Sequence, residues 1–128
     1  MKPVRIHSWN VSPDEASVIQ LNLRNKVKVT ALQDAVHLVA GTAVAFDPSY
    51  DTIHAAIVIL RYPGMELVEQ YGISEEIRFP YVSGLLAFRE GPPLMHLVRK
   101  IKHQPDVILF HAHGQAHPRR FGLASHLG

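Results

Sequence analysis

Near the start of the chain apolar residues recur at helical spacing. In "SPDEASVIQLNLRNKV", Ala16, Ile19, Leu23 and Val27 fall on one face, while Gln20, Arg24, Asn25 and Lys28 take the others. Ser12 is placed to cap, Pro13 suits the first helical position, and Glu15 stands three after the cap, as in a capping box. From Val36 the period changes. The segments "HLVAGTAVAFDPSY", "TIHAAIVILRYPG" and "MELVEQYGISEE" are rich in β-branched residues and break at Tyr50-Asp51-Thr52 and Tyr62-Pro63-Gly64. They predict three antiparallel strands joined as a meander. Helical spacing returns in "GPPLMHLVRKIKHQPD": Leu94, Leu97, Val98 and Ile101 form a stripe, and Arg99, Lys100 and Lys102 lie outside it. Pro92 and Pro93 are expected in the first turn of that helix. "DVILF" predicts a short strand buried on both faces. Pro118 then opens a third helix running to Gly128.

No repeat, low-complexity tract or linker interrupts this order, so residues 1–128 read as one α/β domain. The hydrophobic fraction of 47% is that of a globular chain with a packed core. A formal net charge of +2 permits an anionic partner without demonstrating one. Nine histidines hint at a metal site or a pH-dependent charge, although scattered surface positions account for most of them. The absence of cysteine excludes disulfides and thiolate metal sites. The N-terminal "MKPVRIHSWNVSPDEA" lacks the apolar region of a secretory signal, and the longest apolar run, "AAIVIL", is too short to span a bilayer. A soluble cytoplasmic protein with no membrane partner is expected.

Three segments carry candidate chemistry. In "AFDPSY", Asp47 ends an apolar strand and is either a turn residue or a metal ligand. In "RFPYVSGLLAFREGPP", Glu90 either favours a helix N-terminus or serves as a second acidic ligand. Tyr81 sits on a loop from which a ring stacks on a nucleic-acid base or simply packs. In "DVILFHAHGQAHPRRFGLASHLG", His111 lies just beyond a strand end, where open sheets place their sites, and His113 shares its face if the strand continues. Arg119 and Arg120 fall at the predicted N-terminus of the third helix, a position that favours phosphate.

Together, "DPSY", "FPYVSGLLAFREGP" and "PDVILFHAHGQAHPRRFGLASHLG" resemble the endonuclease V family, and the similarity runs over nearly the whole chain. The resemblance implies a ribonuclease H-like α/β fold: a mixed sheet, made of the antiparallel meander plus a parallel strand, flanked by helices. It implies a metal-dependent DNA-repair nuclease that cuts a phosphodiester on the 3′ side of deaminated bases, chiefly deoxyinosine, with magnesium or manganese. Some members act on inosine in RNA. Carried over by residue, Asp47 and Glu90 match metal-binding acids. Pro80, Tyr81 and Val82 match a strand-separating wedge, Gly84 and Leu85 a pocket for a flipped base, and His117, Pro118 and Arg119 a motif near the scissile phosphate. Pro80, Tyr81, Val82, Gly84, Leu85, His117, Arg119 and Arg120 form the expected nucleic-acid-binding set; Asp47, Glu90 and His111 form the expected catalytic and metal set.

The sequence also departs from the family pattern. His111 and Ala112 stand where the family has aspartate and glycine. Ser83 replaces the second proline of the wedge, and Pro48 follows Asp47. A C-terminal part with a further strand, a lysine and a last metal-binding position is expected to be missing, which leaves a sheet edge for a second copy or another polypeptide to cover. The alternative reading is therefore a catalytically degenerate member acting as a nucleic-acid-binding or interaction module.

Overall fold

In the computed structural model, which describes residues 2–128, the three β-branched segments form the predicted meander. Strand β1 (Leu38–Asp47) pairs antiparallel with β2 (Thr52–Arg61), and β2 with β3 (Glu66–Glu76). Strand β4 (Val107–Leu109) adds parallel to β1, with Val107 opposite Val39. The sheet order is β3-β2-β1-β4, the mixed topology implied by the family resemblance. On β2 the alternation is regular: Ile53, Ala55, Ile57 and Ile59 are buried while His54 and Ala56 face outward. The buried face packs on helix α2 (Leu86–Lys100), whose stripe continues through Phe88, Leu94, Leu97 and Val98 to Ile101 just beyond it. Asp106 fastens β4 to the start of β1. Its carboxylate accepts the amides of His37 and Leu38 (2.8 and 3.0 Å), and its own amide donates to the Leu38 carbonyl (2.9 Å). The two accepted bonds hold its carboxyl below the usual range.

Helix α1 (Pro13–Leu23) begins as the sequence predicts. Ser12 Oγ accepts the Glu15 amide and donates to the Glu15 carboxylate. It ends in a 3-10 turn at Arg24–Lys26, short of Val27. Gln20, assigned to the polar face, is instead fully buried. Residues 16, 20 and 23 share a helix face, and a network described below satisfies the Gln20 amide.

Three further expectations are corrected. Helix α2 starts at Leu86, so Pro92 and Pro93 lie inside it and Arg89 and Glu90 do not precede it. Each proline removes one helical donor. Burial of Ala87, Phe88, Gly91 and Leu94 along one stripe outweighs that loss. Strand β4 is an edge strand, not one buried on both faces: Leu109 is 60% exposed, and a groove of about 690 Å³ runs alongside, between the N-terminal segment and the C-terminal residues. Finally, helix α3 is confined to Leu123–Leu127. Arg120 has a left-handed backbone (φ 57°) and Gly122 is extended, so no helix begins at Pro118 and the two arginines do not sit at a helix N-terminus. Strand β4 stops at Leu109, so His111 and His113 do not share a strand face either.

The N-terminal segment closes over the helices. Trp9 lies so near Gly91 that a Cβ there would meet the ring at 2.8 Å. His7, Trp9, Phe88 and Phe121 surround the buried His126 ring. His7 Nδ1 is bonded to the Ser8 carbonyl, so its Nε2 accepts from His126 Nε2–H at 2.6 Å. His126 Nδ1 is then a buried acceptor without a partner among the described residues. Desolvation, with the neighbouring His7, pushes the pKa of His126 down to about 3.

Candidate functional site

Two acid-bearing segments meet at the C-terminal end of β1. Asp47 closes that strand, and its Oδ1 accepts the Ser49 amide at 3.0 Å, so the turn role anticipated for it is filled. Glu90 is buried in α2. The residues just before them, Phe46 and Arg89, bring the segments together: the guanidinium lies 4.5 Å from the Phe46 ring centroid. It also lies 5.8 Å from the Tyr81 ring centroid. Arg89 thus ties the strand end to the 80–84 loop, where Tyr81 is 75% exposed and Pro80 is also exposed.

Burial pushes the Glu90 carboxyl up, against the opposing charges of Arg89 and His111. No described residue hydrogen-bonds the carboxylate, and its oxygens are not among the buried unpartnered atoms, so they meet solvent. A carboxylate in that condition gains from a nearby cation. Two carboxylates supply hard oxygen donors suited to magnesium or manganese, and the exposed His111 ring, close enough to Glu90 to act on its charge, is the third predicted ligand. Among the described residues no three histidine, aspartate or glutamate side chains converge as a ready-made cluster. Asp47, Glu90 and His111 therefore lie around one end of the sheet without forming a closed cage.

Beside the 80–84 loop is a cavity of about 320 Å³, lined by Gln20, residues 81–84, His113 and the 116–118 segment among others. Its floor is the Gly84 carbonyl, which takes three donors: His117 Nε2 at 2.6 Å, Gln20 Nε2 at 2.9 Å and Arg119 Nη2 at 3.1 Å. Arg119 Nε also donates to Gln20 Oε1 at 2.5 Å. The Arg119 amide donates to His117 Nδ1 at 3.1 Å, so the imidazole is the neutral Nε2–H tautomer. Gly84 has φ +83°, and a Cβ there would sit 2.6 Å from Arg119 Nη2, so both backbone and space require glycine. Across the cavity, the Gly122 amide bonds the Gly114 carbonyl (2.8 Å) and the Ala124 amide bonds the His113 carbonyl (3.0 Å), which closes the 113–122 loop.

The predicted nucleic-acid residues thus separate by role. Gly84 and His117 line the cavity, together with Tyr81 and Val82. The Leu85 side chain is buried in the core and its amide is committed to the Val82 carbonyl. The Arg119 guanidinium is turned inward, whereas Arg120 is exposed with no side-chain hydrogen bond to a described residue. Gln20 and the Phe46–Arg89 contact were not singled out by sequence reasoning. The spacing of Gln20 from Ala16 and Leu23 was the available signal; nothing in the local sequence pairs residues 46 and 89.

With this geometry in view, comparison with known proteins is specific. The family model described as endonuclease V matches residues 21–128. The chain is similar to the endonuclease V of Gloeobacter violaceus, 42% identical over 125 residues, which cover 96% of this chain and 51% of that protein. It is also similar to the crystal structure of the Streptomyces avermitilis endonuclease V: TM-score 0.87, 38% identity, 99% of this chain and 57% of that one. A third similarity is to a Ciona intestinalis endonuclease V solved in complex with a 23mer DNA containing an inosine followed by a ribo-adenosine. That match has TM-score 0.81 and 30% identity, and covers 92% of this chain and 54% of that one. The chain spans about half the length of the relatives it matches. Its motifs, its mixed sheet and these matches agree: the chain belongs to the endonuclease V family.

Proposed function

We propose that this chain provides a metal-dependent nuclease site of the endonuclease V kind, acting on a phosphodiester bond beside an inosine in DNA, or in RNA. The observation that carries the reading is the juxtaposition of a base-sized cavity with an exposed aromatic wedge and a largely buried carboxylate that burial pushes towards its neutral form. Tyr81, with Pro80 and Val82, enters between bases. The cavity floored by Gly84 and His117 takes the base displaced from the stack. The exposed Arg120 meets phosphate. Asp47 and Glu90 would hold a magnesium or manganese ion with His111 as third ligand; such an ion activates water and offsets phosphate charge. The open edge of β4 goes with a second copy or another polypeptide as partner, which sedimentation at high concentration checks.

The test is cleavage of end-labelled oligonucleotides that differ only in carrying inosine or adenine at one position, with manganese or magnesium. Cleavage confined to the inosine strand, on its 3′ side, supports the reading. Binding without cleavage contradicts it and leaves a non-catalytic module.

A further inference from the structure

Gln20 belongs to the helix that opens the chain, far in sequence from the motifs of the site, and its environment is unusual for an amide. It is fully buried, and both ends of its side chain are engaged across the fold. Oε1 accepts from Arg119 Nε and Nε2 donates to the Gly84 carbonyl, so one side chain joins α1, the wedge loop and the 117–121 turn. The Gly84–Leu85 peptide is thereby held at both ends: its carbonyl by Gln20, His117 and Arg119, its N–H by the Val82 carbonyl. Gly84 is in the left-handed region, where the backbone has several accessible orientations and contacts must choose one. Gln20 also lines the cavity.

We infer that Gln20 is a positioning residue for base discrimination: it orients the Gly84–Leu85 peptide and keeps the Arg119 guanidinium turned inward, so that the cavity presents one fixed set of polar groups to a base. The inference rests on the function proposed above. It assigns Arg119 the task of bracing the pocket floor, leaving phosphate attraction to exposed cations such as Arg120. A buried hydrogen bond left unmade costs enough to change an equilibrium by about tenfold or more, so loss of Gln20 is felt as altered pocket geometry.

The test is fluorescence anisotropy on the full chain with two single-stranded oligonucleotides that differ only in inosine or adenine, with calcium in place of magnesium so that the strand stays intact. Gln20→Leu removes both hydrogen bonds. Gln20→Glu keeps an acceptor for Arg119 but turns an oxygen towards the Gly84 carbonyl, and it decides the matter if the leucine variant does not fold. The expected result is an inosine-over-adenine affinity ratio lowered about tenfold in either variant, with adenine affinity and its salt slope within about twofold of wild type. An unchanged ratio, or equal losses for both oligonucleotides, overturns the inference and leaves Gln20 a fold residue. A wild-type chain without inosine preference overturns the proposed function as well.

Discussion

At Glu90, burial holds the carboxyl above its ordinary range, so at neutral pH the ionised form costs the fold stability. The folded value is raised; its contribution is therefore fully present below the unfolded value near 4.5 and is lost as pH rises through the folded one. Glu90→Gln is expected to unfold at higher urea than wild type at pH 7, with the gap closing below pH 4. At Gly84, alanine places a methyl group against Arg119 in a left-handed backbone. Gly84→Ala is expected to cost about 1–3 kcal/mol in denaturant melts and to weaken inosine binding. Legibility was uneven at this scale. Glu90 and His117 lie in the two long ordered motifs of the sequence, and Asp47 in the short "DPSY". Gln20 did not, because an amide on a helix reads as solvated until its burial partners, 64 and 99 residues away, are known. The inward turn of Arg119 was hidden for the same reason.

Among the elements, the meander was legible to within a residue or two, since β-branched runs and turn formers are local signals. The helices with conflicting local signals were not. Two prolines suggested a start for α2, yet they stand inside it because packing on the sheet outweighs two missing donors. Residues 118–122 suggested a helix, yet the hydrogen bonds closing the 113–122 loop hold them in a turn. The contact between the N-terminal segment and α3 yields a pH prediction. His126 is held neutral down to about pH 3, whereas the unfolded chain takes up that proton near 6.5. Its contribution is thus present above 6.5 and lost progressively as pH falls towards 3, with a limiting slope of about 1.4 kcal/mol per pH unit. Urea melts from pH 7 to 4 are expected to show a shallower pH dependence for His126→Phe, whose ring suits the surrounding aromatic cage. Equal slopes contradict the assignment. Asp106→Ala is expected to speed amide exchange in Val107–Leu109 while β2 remains protected, since the bonds it removes join β4 to β1 alone.

For the molecule as a whole, the sheet brings one set of functions to one end. The end of β1 supplies Asp47, α2 supplies Glu90, the loop before α2 supplies the exposed Tyr81, and the loop after β4 supplies His111 and the cavity wall. Arg89 contacts the Phe46 and Tyr81 rings, and Gln20 joins α1 to the 80–84 loop. We propose that these groups together cut nucleic acid at inosine. The most direct measurement is single-turnover cleavage, with manganese, of an inosine oligonucleotide by wild type and by Glu90→Gln on the same gel. Wild type is expected to give one product 3′ of the inosine, the variant at least about a hundredfold less, and the adenine control none. Equal cleavage by both proteins, or none by wild type, would contradict the proposal.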